Sequence, residues 1–526
     1  MAEEMIPNIP QEKFELVNEN RPLHDKELAT KPIGYFHDAF NRFARNKGAI
    51  VAAIVIGILV LYAIIAPMVS QYSVSYTDTY YALTLPKWYG FENANFLDGC
   101  SKKTLNEASF VYYYGMGLET GHNAVKNQYY TVSTTSTGES STSQMYTFRL
   151  DSYEMNGCIF LSSVSAEDYA KIQQYQDETG REVIYPITQL SLRPTAPAFR
   201  SDANYWYTTT LDQGKAIPSN YVINADGTVS YQNIYAPVGF YADNYTSKVR
   251  MEGETALYSY ARPVQGGAYE IRVNYHEYYV YRHAYVLKDG IGEPYFLFGT
   301  TNSGQDLFTC LASGARFSFV FAILVAVVNL AVGAVWGAIA GYYGGRTDLI
   351  MERITDILSA VPFMIVITLL KYHFSNGNNH ALLLFISFFA TGWIGMAGTV
   401  RMQFYRFKNQ EYVLAARTLG ASDKRIMFKH IFPNSLGTII TSCVLIIPSM
   451  IFSETSLSYL GIINLGAGGN MTSVGTLLAA GQPYLASYPH TLLTPSLFIS
   501  LLMLSFNLVG NGLRDAFNPS LRGTED

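Results

Sequence analysis

The sequence predicts a mainly α-helical membrane protein with six transmembrane helices and an α+β domain inserted between the first and second helix. Three observations support this fold class. Charge-free apolar runs of about 20 residues recur along the chain, Lys and Arg are concentrated in alternate loops, and one long polar stretch is rich in tyrosine. The composition, 49% hydrophobic with 15% charged residues, averages these membrane and water-soluble parts.

Five apolar runs are long enough to cross a bilayer. They are Ala49–Val69, Phe317–Tyr343, Ala381–Val400, Ser435–Ser453 and Thr491–Leu513. A sixth run, Ile357–Leu370, is charge-free but short, and it needs the flanking Ile350, Met351 and Ile354 to span the hydrocarbon. We count it as a span because the loops would otherwise fall on contradictory sides of the membrane.

Basic residues indicate the side of each loop, because Lys and Arg in short loops remain in the cytoplasm. They lie before the first span, between the second and third, between the fourth and fifth, and after the last: Lys31, Arg42, Arg45, Lys47, Arg346, Arg353, Arg401, Arg406, Lys408, Arg417, Lys424, Arg425, Lys429, Arg514 and Arg522. The opposite loop 464–490 has neither Lys nor Arg, and Lys371 is the main exception. Both termini are therefore expected in the cytoplasm. The first span begins too far from the start to be a cleaved secretion signal, so it is expected to stay as an anchor.

The same charge pattern places residues 71–293 outside the cell. Thirty of the chain's 41 tyrosines lie there, and we expect them either to form a docking surface for another protein or to fill the domain's core. Predicted strands are Tyr129–Val132, Met145–Leu150, Tyr269–Tyr275 and Tyr278–Val286, with a helix at Ala166–Glu178 and a hairpin tip or exposed loop at Ser133–Ser143. A domain of this size suits a bacterium with a single membrane, which favours a Gram-positive source.

The predicted organisation follows from these spans. In chain order it comprises a cytoplasmic N-terminal segment 1–47, transmembrane helix 1 at 48–70, the extracellular α+β insert 71–293, an interfacial segment 294–316, transmembrane helices 2–6 within 317–513 with a cytoplasmic loop at 401–435, and a cytoplasmic tail 514–526.

Cysteines and membrane-embedded polar residues supply a few candidate sites. Cys100 and Cys158 lie in the external domain, where they either form a disulfide or remain thiols, while Cys310 and Cys443 are expected to pack as small apolar residues. Polar groups inside a span are costly and mark either a structural contact or a solute path. Glu454 and Asn507 are candidates for lining a path, and Asp356 is expected to pair with Arg353 or cap a helix.

Several functional classes are disfavoured by missing motifs. The chain has no G-x-x-x-x-G-K-[ST] phosphate loop and no G-x-S-x-G elbow, so we expect a non-catalytic chain with no cofactor of its own. No histidine or cysteine spacing indicates a metal site, and His276, His283 and His373 are interpreted as surface or packing residues. The net charge of −5, without a basic patch outside the loops, disfavours nucleic-acid binding.

The cytoplasmic loop between the fourth and fifth spans carries the most informative motif. Its sequence, Glu411–Leu436, is EYVLAARTLGASDKRIMFKHIFPNSL. It resembles the cytoplasmic loop of ATP-binding-cassette (ABC) import permeases, in which Glu-Ala-Ala is followed by three residues, Gly and a later Pro. Leu414 stands where that family has Glu. The resemblance implies coupling to an ATPase through Ala415, Ala416, Arg417, Gly420, Ala421 and Pro433. An ordinary amphipathic loop helix is the alternative.

A second segment narrows the resemblance to the C-type subunit of dipeptide and oligopeptide permeases. The matching residues are Gly299, Thr300, Gly304, Asp306, Gly314, Ala315 and Arg316, whereas Thr301 and Gln305 differ from the family pattern. Asp306 is expected to cap an interfacial helix, Leu307–Ala312. The likeness covers Phe298–Pro519 and the first span, and it implies the type I ABC importer permease fold. It does not cover the external insert.

The resemblance also implies a function. It is that of a permease subunit in the bacterial plasma membrane, forming half of a path for oligopeptides or dipeptides. Expected partners are a homologous permease chain, two ATP-binding subunits that hold ATP and Mg²⁺, an extracytoplasmic peptide-binding protein, the peptide substrate and membrane lipid. The alternatives are an importer of the same type for nickel or a sugar, and a membrane-anchored extracellular receptor or adhesin.

Overall fold

The fold was analysed in a computed structural model of the full chain. It describes residues 35–91, 94–136, 142–188, 202–204, 209–212, 215–218, 221–223, 225, 229–231, 250–252, 255–374, 380–463, 465 and 472–517. The predictions for the first 34 residues, for the tip of the hairpin at 137–141 and for the tail beyond residue 517 lie outside these ranges.

Helices dominate both ends of the chain. They are α1 Tyr35–Arg45, α2 Lys47–Val69, α3 Glu107–Thr120, α4 Ala166–Thr179, α5 Tyr275–Tyr281, α6 Leu307–Tyr343, α7 Gly345–Ser359, α8 Phe363–Phe374, α9 His380–Phe407, α10 Glu411–Thr418, α11 Phe432–Tyr459, α12 Val474–Gly481 and α13 His490–Phe517. Among the described residues, five helices are long and apolar enough to cross a membrane, namely α2, α6, α9, α11 and α13. The prediction of a mainly helical protein with several apolar helices is confirmed.

The predicted sixth span is not one straight helix. Between α7 and α8 the chain breaks at Pro362, and the two helices are bent by 68° relative to each other. Proline explains the break, since its ring disfavours helical geometry at the preceding residue and removes a backbone donor. Ile357–Leu370 therefore straddles a bend, and the pair makes a sixth span only if both halves are taken together.

The second span is longer than predicted. Helix α6 runs without interruption through 37 residues, so the expected separate interfacial helix Leu307–Ala312 is the first part of the same helix. The predicted cap is confirmed, because the Asp306 carboxylate accepts a hydrogen bond of 2.9 Å from the Thr309 backbone N–H. With this cap, α6 begins as one continuous helix before the apolar part that can cross the membrane.

Helices α6 and α9 pack together at unusually short range. A Cβ atom built at Gly333, Gly337 or Gly341 would lie 2.7, 2.2 or 2.6 Å from a backbone carbonyl oxygen of α9. The three glycines are four residues apart and therefore share one face of α6. Small residues at this spacing allow two membrane helices to approach backbone to backbone.

Residues between α2 and α6 form a mixed region of antiparallel strands and short helices. The strands are β1 Cys100–Asn106, β2 Val125–Ser136, β3 Thr142–Asp151, β4 Cys158–Val164, β5 Ile184–Tyr185, β6 Ile187–Thr188, β7 Thr209–Asp212, β8 Lys215–Pro218, β9 Tyr221–Ile223, β10 Val229–Tyr231, β11 Arg250–Glu252, β12 Thr255–Ser259, β13 Ala261–Pro263 and β14 Tyr269–Asn274. One sheet has the order β1-β3-β2 and another β13-β14-β4, with β5 beside β14.

Most local predictions in this region are confirmed. Tyr129–Val132 lies in β2, Met145–Leu150 in β3 and Tyr269–Asn274 in β14, while α4 covers the predicted helix. The predicted strand Tyr278–Val286 is wrong, since α5 and a wide helical turn at 282–287 occupy it. Its tyrosines and valines favour strands, but the Asn274 side chain caps α5 by accepting 3.0 Å from the Glu277 N–H.

The tyrosines of this region serve mainly as core residues. One hydrophobic cluster packs strands β4, β5 and β14 against α4 and α5, and its buried tyrosines are Tyr72, Tyr81, Tyr153, Tyr169, Tyr175, Tyr260, Tyr275, Tyr279 and Tyr281. A second, smaller cluster packs α3 on the β1-β3-β2 sheet around Phe110 and Phe148. Of the two expectations for the tyrosines, the structure supports filling of the core.

Of the two alternatives for Cys100 and Cys158, the structure has thiols and no disulfide. Among the described residues, which include all four cysteines, none is in a disulfide. Cys100 begins β1 and faces Asp151 of β3, whereas Cys158 begins β4 and faces Asn274 of β14, so the two belong to different sheets. Burial and the neighbouring Asp151 and Asp98 raise the pKa of the Cys100 thiol to about 12.

We expect both Cys100 and Cys158 to react as thiols once the chain is unfolded. Iodoacetamide added in urea without reductant should label Cys100 and Cys158 in full, because no S–S bond protects them. Peptide mass spectrometry measures the labelling, with a reduced sample as the control. Recovery of a Cys100–Cys158 cross-linked peptide would contradict the structure.

Candidate functional site

The loop helix α10 is anchored to the membrane helices by one buried side. Val413 and Ala416 point inward, and the following residues Ile426, Met427 and Ile431 are also buried. Val413, Ile426, Met427 and Ile431 form one hydrophobic cluster with side chains of α6 and α9. The loop is thus packed onto the ends of two transmembrane helices and continues directly into a third, α11.

Tyr342, at the end of α6, holds the loop from two sides. Its hydroxyl donates a hydrogen bond of 2.6 Å to the Asp423 carboxylate. The Arg417 guanidinium lies 3.5 Å from the same hydroxyl and 5.8 Å from the centre of the ring. Arg417 was predicted to belong to this site, but Tyr342 and Asp423 were not, because they carry no sequence signal for it.

Gly420 ends α10 in a left-handed conformation with φ of +80°. The Gly420 N–H bonds to the Arg417 carbonyl oxygen and the Ala421 N–H to the Ala416 carbonyl oxygen, each at 3.0 Å. This is a Schellman motif, for which glycine is the preferred residue. Within this chain a Cβ there would meet nothing within 4 Å, so its backbone angle explains it.

The opposite side of the loop is exposed and partly apolar. Leu419 is 88% exposed, Phe428 59% and Leu414 45%. Ala415, on the same helix, is also exposed. Pro433 lies in the first turn of α11, where its missing N–H costs nothing. The predicted coupling residues therefore divide into a buried anchor, a turn and an exposed face.

A charged cluster fixes α7 to α9 near the same end. The Arg401 guanidinium donates to the Asp348 carboxylate at 2.5 and 2.8 Å and to Glu352 at 2.8 and 3.0 Å. The Tyr405 hydroxyl adds a hydrogen bond of 2.6 Å to Asp348. The Arg401 guanidinium and the Asp348 carboxylate form two hydrogen bonds in a bidentate geometry. This contact therefore fixes the orientation of α7 and also holds it against α9.

Two family models match parts of this chain. Residues 333–523 match the family model described as "Binding-protein-dependent transport system inner membrane component", and residues 34–86 match "N-terminal TM domain of oligopeptide transport permease C". The oligopeptide transport permease OppC of Bacillus subtilis is 46% identical over 225 residues, which are 43% of this chain and 72% of the relative. The chain belongs to the oligopeptide and dipeptide transport permease family, as its C-type subunit.

Other relatives agree with this assignment. The dipeptide permease DppC of B. subtilis is 40% identical over 43% of this chain and 69% of its own length, and OppC of Haemophilus influenzae is 41% identical over 44% and 72%. A solved methionine transporter, MetNI in an inward-facing form, aligns with 40% of this chain at 13% identity and a TM-score of 0.30. Neither family model covers residues 87–332 of this permease.

The polar residues inside the permease's helices have different surroundings. Glu454 is completely buried, and its carboxylate accepts hydrogen bonds of 2.9 Å from Ser318 of α6 and 3.0 Å from Ser458. It therefore joins α11 to α6 in this conformation and does not face an open surface. Asn507 is exposed, donates 2.9 Å to the Met503 carbonyl oxygen, and stays a candidate path residue. Asp356 pairs with Arg353 at 3.3 Å, as predicted.

Proposed function

We propose that this permease is one of two transmembrane subunits of an ATP-driven importer and forms half of the path for oligopeptides or dipeptides. The observation that carries the proposal is the loop helix α10, which is anchored to α6 and α9 by Val413 and leaves an apolar face exposed. Exposed apolar patches on membrane-protein loops mark protein contacts. The names of the relatives, oligopeptide and dipeptide permeases, supply the substrate class.

The proposed partner on that face is one of two ATP-binding subunits, which hold ATP and Mg²⁺. Their closure pushes on α10. Because Tyr342 and the buried apolar residues tie α10 to the end of α6, and the chain continues into α11, the push moves these helices together. A rigid connection of this kind transmits a displacement to the substrate path, which then opens to the other side.

The remaining parts of the proposal concern topology and further partners. The chain is a multi-pass membrane protein, and we place both termini and α10 in the cytoplasm because of the basic loops. Residues 71–293 then lie outside the cell, beside the entrance of the path. A homologous permease chain completes the path, and an extracytoplasmic binding protein delivers the peptide. A large external domain favours a Gram-positive plasma membrane.

Peptide uptake tests this proposal. Cells that lack the gene should lose uptake of isotope-labelled oligopeptides, and expression of the intact chain should restore it. Uptake of labelled nickel and of sugars, measured in the same cells, provides the control, since an importer for another cargo would lose one of those instead. Unchanged uptake of all three cargoes would exclude a transport role and leave a receptor or adhesin.

A further inference from the structure

The external domain contains a compact cluster of histidines and glutamates that the proposed transport function does not use. His122 follows α3, Glu154 follows β3, and His276 lies in the first turn of α5. One potential ligand atom from each of these residues lies within 4.8 Å of the other two. The cluster joins the part of the domain built on the β1-β3-β2 sheet to the part built on β14.

The donor atoms converge on Glu154. The Nδ1 atom of His122 lies 3.3 Å from one carboxylate oxygen of Glu154, and the Nδ1 atom of His276 lies 3.0 Å from the other. Donors bound to a tetrahedral ion at about 2.1 Å lie roughly 3.4 Å from one another. The two His–Glu spacings are therefore close to those of a ligand set, and the three ligand atoms all lie within 4.8 Å of one another.

One nitrogen of this set lacks a hydrogen-bond partner among the described residues. The Nδ1 atom of His276 is buried, and its 3.0 Å contact with Glu154 lies outside hydrogen-bond geometry. A buried polar atom without a hydrogen bond is costly in a folded protein. A metal ion would give this nitrogen the partner that the protein does not supply.

The other nitrogen of each imidazole is already held by a carboxylate. His122 Nε2 lies 2.9 Å from Glu277, and His276 Nε2 lies 2.5 Å from Glu293. Arg181 in turn contacts Glu277 at 2.6 Å and Glu293 at 2.9 Å. Metal-binding histidines typically have this arrangement, in which a carboxylate on the outer nitrogen fixes the ring so that the inner nitrogen faces the metal.

Charge favours a divalent ion at this position. With neutral imidazoles, the three carboxylates Glu154, Glu277 and Glu293 and the single guanidinium of Arg181 give a net charge of −2, from three negative charges and one positive. Lys126, the next basic residue, is paired with Asp151 at 3.3 Å. Either two protons or one divalent cation would neutralise the cluster.

Protons compete for the same nitrogens. Burial alone would lower the pKa of both imidazoles, but contacts with Glu154 and Glu277 raise the pKa of His122 to about 10, and contacts with Glu154 and Glu293 raise that of His276 to about 9. A metal ion must displace these protons, so its affinity depends on pH.

We propose that His122, Glu154 and His276 bind one divalent transition-metal ion of the Zn²⁺ class and thereby tie the two parts of the external domain together. Two nitrogen donors and one carboxylate suit Zn²⁺, with water as the fourth ligand, and disfavour Ca²⁺ and Mg²⁺, which prefer oxygen donors. No spacing pattern in the sequence indicates this site, because its three ligands come from segments far apart in the chain. The site is independent of the transported cargo.

Zn²⁺ binding to the purified full chain tests the proposal. The protein is isolated in detergent through a tag without histidine, stripped with EDTA and titrated with Zn²⁺ against a chromophoric chelator. We expect one Zn²⁺ per chain and a higher Tm with Zn²⁺ than with EDTA. Co²⁺ should give the intense visible absorption of a tetrahedral site.

Matched variants locate the site. His122→Gln and His276→Gln keep an amide near the position of Nε2 but remove the Nδ1 donor, so the Zn²⁺ affinity should fall by more than about 100-fold. The Tm in EDTA should also fall, because the buried Glu154 loses an ion-pair partner, and the rise in Tm on adding Zn²⁺ should be lost. Glu293→Gln, which alters only the outer contact, should weaken binding by roughly 10–100-fold. His373→Gln, at an exposed histidine on α8, should bind Zn²⁺ as the unaltered chain does.

Two results would overturn the proposal. One is the absence of stoichiometric Zn²⁺ binding to the unaltered chain at pH 8, and the other is equal Zn²⁺ affinity in the double variant His122→Gln, His276→Gln. If that variant does not fold, the unaltered chain decides, because Zn²⁺ binding without the tetrahedral Co²⁺ spectrum would refute the site. A failure of the peptide-uptake test would leave the conclusion about Zn²⁺ binding unchanged.

Discussion

Replacing Gly337 with leucine should prevent the permease from reaching its folded state. A Cβ at this position would lie 2.2 Å from the Ala397 carbonyl oxygen and 2.9 Å from the Arg401 backbone nitrogen. Both contacts are with backbone, so no side-chain rotation relieves them, and α6 and α9 would have to separate by roughly 1 Å. Separation would break the packing along both helices, which costs more than the ~1–3 kcal/mol typical of overpacked cores.

The measurement is the yield of monodisperse full-length protein extracted from membranes, followed by thermal unfolding of what is recovered. Gly398→Leu is the matched control, because a Cβ at Gly398 of α9 meets nothing within 4 Å. We expect the control to behave like the unaltered chain and Gly337→Leu to lose most of the yield. Equal yield and equal Tm for the two variants would show that α6 and α9 are not in close contact.

The sequence contains a signal for the close contact of α6 with another helix. Gly333, Gly337 and Gly341 are spaced by four residues within an apolar run, which is a known pattern of close helix packing in membranes. The pattern predicts a tight contact without naming the partner helix. Only the structure identifies that partner as α9.

Predictions from local sequence patterns succeeded where a single physical effect determines the structure. Long apolar runs gave the five clear helices, because the bilayer imposes both the length and the absence of charge. The Asp306 cap was also predictable, since the capping carboxylate and the backbone N–H that donates to it are three residues apart. The strand predicted at Tyr278–Val286 failed because a cap and core packing outweighed the β preference of tyrosine and valine.

Contacts between distant segments could not be predicted from one sequence. The assignment of Cys100 and Cys158 to different sheets depends on the pairing of β1 with β3 and of β4 with β14. The convergence of His122, Glu154 and His276 brings together three segments that are far apart in the sequence. In the loop, the motif indicated the helix α10, but the turn at Gly420 and the role of Tyr342 at the end of α6 required the structure.

Replacing Leu419 with aspartate should abolish peptide uptake without affecting the fold of the permease. Leu419 is 88% exposed and follows α10, so its side chain contributes almost nothing to the stability of this chain. If the exposed face of α10 docks on an ATP-binding subunit, Leu419 enters an apolar pocket of that partner. A carboxylate at this position would lose the apolar contact and would also be desolvated. Together these effects weaken binding of the ATP-binding subunit by about 2–4 kcal/mol, which is roughly 30- to 1000-fold in the association constant.

Three measurements separate this effect from misfolding. The yield and Tm of the full-length variant should equal those of the unaltered chain, while peptide uptake and co-purification of ATP-binding subunits should both fall to near background. Leu419→Met, which keeps an apolar side chain, should retain uptake, and Leu287→Asp, at a half-exposed site in the external domain, should retain the ATP-binding subunits. Gly420→Trp is a poorer test, since its φ of +80° would be strained by any side chain. Normal uptake by a well-folded Leu419→Asp variant would show that coupling does not pass through this face of α10.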